Sequence, residues 1–228
     1  MLLEIRLLGR FDVRQNGAAV PVTARKGQAL LAYLALHAGT AVRRELLAGL
    51  LWPDAPEETA RANLRQTLWR LRRQLGAAAL HADDVSLALA AAWVDTAVLQ
   101  QAAGADALDV YHGDLLPGFY DDWVLPARAR LRALWEQKMA AWLAALVAAA
   151  RWREVRTWAA RWLAHDPAAE AAYRALMQAH AGLGEAAQVT AVYERCVRAL
   201  DAELGAPPAP QTTALLARLQ AAAQAAPH

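Results

Sequence analysis

Between residues 54 and 76 the apolar positions Ala60, Leu64, Leu68, Leu71 and Leu75 recur at spacings of three and four, one narrow stripe along a helix. Asn63, Gln66, Trp69, Arg70 and Arg73 face away from that stripe, and Arg61, Arg65 and Arg72 sit on its shoulder. Asp54 is expected as the N-cap, with Pro56 in the first turn, Glu57 three residues after the cap and Gly76 as the stop. Acids at the start and arginines thereafter suit the helix dipole. An exposed Arg/Asn/Gln face on a short helix has the chemistry for reading base edges in a major groove. A merely solvated charged face fits the same pattern, so the surrounding elements must decide.

Residues 2–22 alternate as strands do: Leu3, Ile5 and Leu7 against Glu4, Arg6 and Leu8, then Phe11 and Val13 against Asp12 and Arg14. Asn16-Gly17 is a two-residue hairpin signal, with Val20 and Val22 continuing beyond it. A helix is expected from about Ala24 to His37, capped by Thr23 and stopped near Gly39, and Ala41-Val42 reads as a short strand. A second helix, Arg43 to Trp52, would turn Leu46, Leu47, Leu50 and Leu51 inward and end at Pro53. The arginine-rich helix is third. After it, Ala77–Leu80 and Val85–Leu89 flank a His81-Ala82-Asp83-Asp84 turn and read as a hairpin. Strands, three helices and a following hairpin form the layout of a winged helix, whose last helix enters the major groove.

From Trp93 onward the pattern is helical throughout. Asp95 is expected to cap a helix over Thr96 to Ala103, Asp106 begins another, and Gly113 to Pro126 is an irregular connector before a long helix reaching Ala149. A repeat follows: Ala150, Val155, Trp158, Arg161 and Leu163 correspond to Gly184, Val189, Val192, Arg195 and Val197 at a period of 34, and Leu143 corresponds to Met177. With Asp166-Pro167 and Gly205-Ala206-Pro207-Pro208 ending the second helices, this is a degenerate tetratricopeptide pattern. Trp152, Trp158 and Trp162 stand where the later copy has Ala186, Val192 and Cys196, and six of the nine tryptophans fall in residues 123–162, as expected of packing between stacked helices.

Charge sharpens this division. Residues 1–92 carry 12 Lys/Arg against 8 Asp/Glu, a balance of +4, whereas 93–228 carry 12 against 14, a balance of −2. The basic part holds the arginine helix, the asymmetry expected of a nucleic-acid-binding module joined to something else. Cys196 is the only cysteine, which excludes an intramolecular disulfide or a cysteine metal site and fits a cytoplasmic location. Glu4 and Arg6 interrupt any leader, and the longest uncharged apolar run, Met139 to Ala150, is too short to span a bilayer, so no membrane association is expected. No phosphate-binding loop, dinucleotide fingerprint or nucleophile elbow occurs. Ser86 is the only serine, and the six histidines show no metal spacing. His165-Asp166-Pro167 reads as a helix end, and Asp83-Asp84 and Asp121-Asp122 as turn and helix-start residues. Neither catalysis nor a cofactor or metal is expected.

Leu50-Leu51-Trp52, Ala60-Arg61, Leu64, Leu68 and Leu71-Arg72-Arg73-Gln74-Leu75 resemble the DNA-binding half of bacterial activators of the antibiotic-regulatory-protein type. Residues 108–208 resemble the bacterial transcriptional activation domain of that family more closely still. The matching stretches are Tyr111-His112-Gly113-Asp114-Leu115-Leu116-Pro117-Gly118-Phe119-Tyr120-Asp121-Asp122-Trp123, Asp166-Pro167-Ala168-Ala169-Glu170, Tyr173-Arg174-Ala175-Leu176-Met177, Ala191-Val192-Tyr193-Glu194-Arg195 and Leu200 to Pro208.

The resemblance implies a mainly α protein: an OmpR-type winged helix with a small sheet over 1–92, then a tetratricopeptide-like activation domain over 93–228. It implies binding of double-stranded DNA at promoter direct repeats, often as a homodimer, with recruitment of RNA polymerase. By position, Asn63, Arg65, Gln66, Trp69 and Arg70 would face the groove, with Arg72 and Arg73 nearer phosphates. On chemistry, Asn63, Gln66 and Arg70 are assigned to base edges, and Arg61, Arg65, Arg72 and Arg73 to phosphates. Two departures stand out. Relatives commonly carry a Gly-Tyr pair and basic residues in the hairpin, whereas Asp83 and Asp84 make this wing acidic and repulsive to phosphate. Many relatives also continue into an ATPase or further repeats, so a switching signal is expected to come from elsewhere, or the chain is a fragment of a longer protein. The rival reading is a protein-interaction scaffold whose winged helix has lost DNA affinity.

Overall fold

The computed structural model describes residues 2–225; Met1 and the last three residues of the Ala/Gln tail lie outside the described residues. The chain divides into two compact units, Met1–Trp135 and Glu136–His228. The stretch 93–135, grouped by the sequence pattern with the helical part, thus packs within the first unit.

In the first unit, β1 (Leu3–Arg6) pairs antiparallel with β2 (Asp12–Gln15), Ile5 opposite Val13. Asn16 and Gly17 both take positive φ, at 50° and 83°, which gives the turn whose twist suits a two-residue hairpin and leads into β3 (Ala18–Ala19). α1 (Arg25–Leu36) follows. Its cap is Ala24 without a side-chain bond, so Thr23 does not cap it. Then come β4 (Val42–Arg43), α2 (Arg44–Leu51) and α3 (Glu57–Leu75).

Leu47, Ala48 and Leu51 of α2 are buried, but Leu46, expected inside, is 51% exposed. The short helix starts one residue later than its pattern predicts and turns only one narrow side inward. α3 begins after Pro56, with Asp54 left in the preceding turn and no side-chain cap, so the expected Asp54 N-cap is not formed. Its buried residues are Ala60, Leu64, Leu68, Leu71 and Leu75, the predicted stripe. Gly76 ends it at φ +85°.

The hairpin after α3 starts late. Ala77–Ala79 is a single 3-10 turn, and the strands are β5 (Leu80–Ala82) and β6 (Ser86–Leu89), Leu80 opposite Leu89. β4 joins this wing through Val42 opposite Leu87, making a three-stranded sheet in the order β4-β6-β5.

The expectation of helix throughout from Trp93 is corrected by β7 (Trp93–Val94), which pairs in parallel with β1 and completes a four-stranded sheet, β3-β2-β1-β7. A two-residue strand has no period to read. α4 (Asp95–Gln101) and α5 (Gly104–Asp109) follow. Asp95 is the first residue of α4 rather than its cap, and its carboxylate lies buried, accepting the N–H groups of Leu7 at 2.7 Å, Leu8 at 2.8 Å and Thr96 at 2.8 Å.

The connector Tyr111–Trp123 straps onto the end of β1. Leu8 bridges Leu115, Leu116 N–H donates to the Leu7 carbonyl at 2.8 Å, and Gly9 N–H donates to the Asp114 carbonyl at 2.9 Å. From α6 (Val124–Ala148), Arg128 donates to the carbonyls of Leu115, Leu116 and Phe119 at 2.8–2.9 Å, and Arg132 pairs with Asp114. Burial raises the Asp114 pKa, but the bonds from Arg132 and Tyr111 outweigh it and leave the group below its ordinary value. The Tyr111 ring stacks on Trp135 at 4.5 Å, and burial followed by the Asp114 charge holds its hydroxyl protonated well beyond the usual range.

The second unit holds the rest of α6, then α7 (Trp152–His165), α8 (Glu170–Gly182), α9 (Ala186–Leu204) and α10 (Pro210–Ala225). The repeat is structural as well as sequential. Ala150 and Gly184, one period apart, both adopt positive φ at the turns, at 51° and 75°. Val155 and Val189, also one period apart, are both buried. Trp162 is buried in the packing, and Cys196 is fully buried, its thiol pushed up to about 11 by desolvation. The Asp166–Glu170 stretch ends one helix and ties down another: Asp166 accepts the Ala168 N–H at 2.9 Å, while Glu170 accepts the Ala209 N–H at 3.0 Å and the Thr212 hydroxyl at 2.5 Å. Among the described residues no helix is long and apolar enough to cross a membrane.

Candidate nucleic-acid interface

Since the buried stripe of α3 takes one side of the helix, the remaining residues are forced outward. Arg61, Arg65, Gln66, Trp69, Arg70 and Arg73 are exposed, while Asn63 and Arg72 are half-buried. The sequence-predicted residues therefore share one helix, but their side chains are in different states. Arg65 and Arg70 have no ion pair or hydrogen bond to any described residue, which leaves both guanidinium groups available. Arg61 is engaged, reaching Glu57 at 2.5 Å and Glu45 at 3.5 Å. Arg73 lies over the Trp69 ring, 4.8 Å from its centroid, and Trp69 is itself 57% exposed.

Arg72 has turned inward and donates to the Leu80 carbonyl at 2.9 Å, fastening the end of α3 to the first wing strand. Replacing it with alanine leaves that carbonyl without its charged donor. Arg72→Ala is expected to lower unfolding stability by about 1–2 kcal/mol, measured by urea denaturation. An unchanged midpoint would show that the bond holds nothing.

The structure adds two arginines to those predicted from the sequence. Arg43 and Arg44 open α2 beside the wing, where Arg43 pairs with Ser86 across the sheet and Arg44 N–H donates to the Val85 carbonyl at 2.9 Å. With Arg61, Arg65, Asp84 and Val85 they line a cleft between α2, α3 and the wing tip. Consecutive arginines just before an apolar run were the available signal. Their proximity to α3, created by β4 joining the wing, was not.

The wing tip is built by its acid. Asp83 accepts the N–H of Val85 at 2.8 Å, the N–H of Ser86 at 2.7 Å and the Ser86 hydroxyl at 3.0 Å. The bond from Val85, then those from Ser86, hold its carboxyl below the ordinary value, so Asp83 stays charged. Asp83 is thus a turn residue, as its position predicts, and it is exposed at the tip together with Asp84 and Val85.

An arginine-faced third helix, flanked by a wing and an arginine-led second helix, defines a winged-helix protein, here followed by a helical repeat. The chain matches the model of the bacterial transcriptional activator domain over residues 87–220 and belongs to that family, a family of transcriptional regulators. Its fold is similar to that of Mycobacterium tuberculosis EmbR, solved in complex with a low-affinity phosphopeptide, with a TM-score of 0.74 at 24% identity over 96% of this chain and 65% of EmbR. The chain thus spans less than two thirds of EmbR's length, and the likeness is one of fold. No curated protein matches the chain. The resemblance to activators of the antibiotic-regulatory-protein type therefore holds at the level of family and architecture.

Proposed function

We propose that this transcriptional regulator binds double-stranded DNA in a sequence-specific manner through α3, activates from promoter direct repeats as a homodimer, and contacts RNA polymerase through its helical repeat. The division of labour falls near residue 92. The observation that carries the reading is the exposed face of α3, where Arg65 and Arg70 stand unpaired between Asn63, Gln66 and Trp69 in the position that enters a major groove.

In this arrangement Asn63, Gln66 and Arg70 read base edges, while Arg61, Arg65 and Arg73, joined by Arg43 and Arg44, hold phosphates. Arg72 contributes by fixing the base of the wing. The wing tip, with two carboxylates, stays out of the minor groove.

Selection of bound duplexes from random DNA, followed by affinity against salt concentration for the enriched sequence, tests this. An enriched direct repeat with a steep negative log–log slope is the expected result. Arg70→Ala is then expected to cost about 1–3 kcal/mol on the selected site and to relax its specificity. Arg65→Ala should weaken selected and random duplexes alike and flatten the slope by about 1. Equal behaviour of the two variants would overturn the assignment of roles.

One observation favours a second reading, an interaction scaffold: Asp83 and Asp84 put two exposed carboxylates at the wing tip. Absence of any enriched sequence, with weak binding indifferent to sequence, is the result that would select it.

A further inference from the structure

In the second unit a groove runs between α7 and α9 with α8 beneath it. Arg153 and Arg156 stand on the α7 side and Arg195 on the α9 side, while Leu163, Leu176 and His180 contribute to its lining below. None of its lining residues is acidic. Arg153 and Arg156 are exposed, one helical turn apart on the same face, and neither guanidinium has a partner among the described residues. Arg195 makes only a ring contact, 6.0 Å over Tyr173.

Four carboxylates of the neighbouring turns have partners of their own: Glu154 with Arg151, Asp166 with the Ala168 N–H, Glu170 with Thr212 and the Ala209 N–H, and Glu185 with His180, while Glu194 beside Arg195 is exposed outside the lining. No carboxylate lines the groove itself, and three cations stand around one depression whose lining between them is partly apolar.

We infer that this groove docks a short acidic, amphipathic segment of a partner protein, its carboxylates on Arg153, Arg156 and Arg195 and an apolar side chain against Leu163 and Leu176. The guanidinium fork matches a carboxylate with two parallel hydrogen bonds, and the apolar lining gives the segment area to bury. Peptide-binding grooves combine these two elements, with charge setting register and an apolar anchor setting affinity. A nucleic-acid backbone matches the cations but gains nothing from the leucines. The inference supplies a chemistry for the partner contact proposed above and rests on that reading for its biological setting. The groove itself does not depend on α3 binding DNA.

The test uses the full chain and a short fluorescein-labelled peptide of aspartate, leucine and phenylalanine, followed by anisotropy. The aspartate peptide is expected to bind, and its asparagine counterpart to bind roughly tenfold or more weakly. R153E/R156E should lose binding by a comparable factor and R153K/R156K should retain part of it, both with unchanged circular dichroism and thermal midpoint. Both should also keep wild-type affinity for the selected duplex. Three results would overturn the inference: no binding of the aspartate peptide, equal binding by R153E/R156E and wild type, or displacement of the peptide by duplex DNA, which would assign the groove to nucleic acid. Failure of the winged helix to select DNA would leave the peptide result unchanged, so the two readings fail separately.

Discussion

Replacing Asp95 by alanine is expected to cost about 3–5 kcal/mol of unfolding stability. Its carboxylate is 2% exposed and is the acceptor for the N–H groups of Leu7, Leu8 and Thr96. Removal strands three buried donors, each worth roughly 1–3 kcal/mol when unsatisfied. Burial is the dominant influence on the group and raises its pKa from 3.8 to about 6, against the three N–H bonds and Arg6, which lower it. The folded state therefore holds this proton more tightly than the unfolded chain. Between pH 3.8 and about 6 the contribution of Asp95 to stability falls as pH rises, and above about 6 it is constant. Urea denaturation across that range checks both points. Asp95→Asn should remove this part of the pH dependence while costing less than alanine, because one acceptor oxygen survives. A pH profile identical in wild type and Asp95→Asn would refute the titration.

Gly9→Ala is expected to cost on the order of 3 kcal/mol, for two independent reasons. Gly9 has φ +86°, where a side chain is strained, and a Cβ there would lie 2.7 Å from the His112 carbonyl oxygen, a backbone atom that cannot swing away. Gly113 faces it, with its own Cβ position 3.1 Å from Gly9 Cα. The two glycines permit the close crossing at which Gly9 N–H meets the Asp114 carbonyl. Gly118→Ala is the control. Its φ is +78°, but open space surrounds it, so it should cost only the conformational strain, about 1–2 kcal/mol. Thermal unfolding of the two variants reads the difference. Equal midpoints would mean that the crossing is not tight.

These two sites also show what could be read in advance. The Gly-Asp-Leu-Leu-Pro-Gly-Phe stretch was recognisable as a family signature, but nothing in its spacing said what it does. Structurally it is a strap: Leu115 and Leu116 pair with the end of β1, and Arg128 gathers its carbonyls. Arg25 reaches it from α1, donating to the Gly118 carbonyl at 2.7 Å with its guanidinium 3.3 Å from the centre of the Phe119 ring. Its partners at the end of β1 and on α1 lie about a hundred residues away, so no local pattern could encode them.

Local periodicity did determine which side of α3 is buried, because a stripe at Ala60, Leu64, Leu68, Leu71 and Leu75 leaves a helix one way to face a core. It likewise fixed the Asn16-Gly17 turn, through the positive φ that pair tolerates, and the repeat of 34 with its small residues at 150 and 184. What it could not determine were the effects of long-range pairing and competition. The two-residue strand β7 exists only because β1 lies beside it, and the short strand expected at Ala41-Val42 owes its place in a sheet to β6. Arg72 looks like its neighbours in sequence, yet the Leu80 carbonyl takes it out of the exposed row. Asp95 carried the mark of a helix cap and became instead the buried acceptor of a distant strand. The chain alone thus set the elements and their faces, since those depend on neighbours within a turn or two. Only the tertiary structure decided which charges remained free, because that depends on which acceptor reaches each of them first.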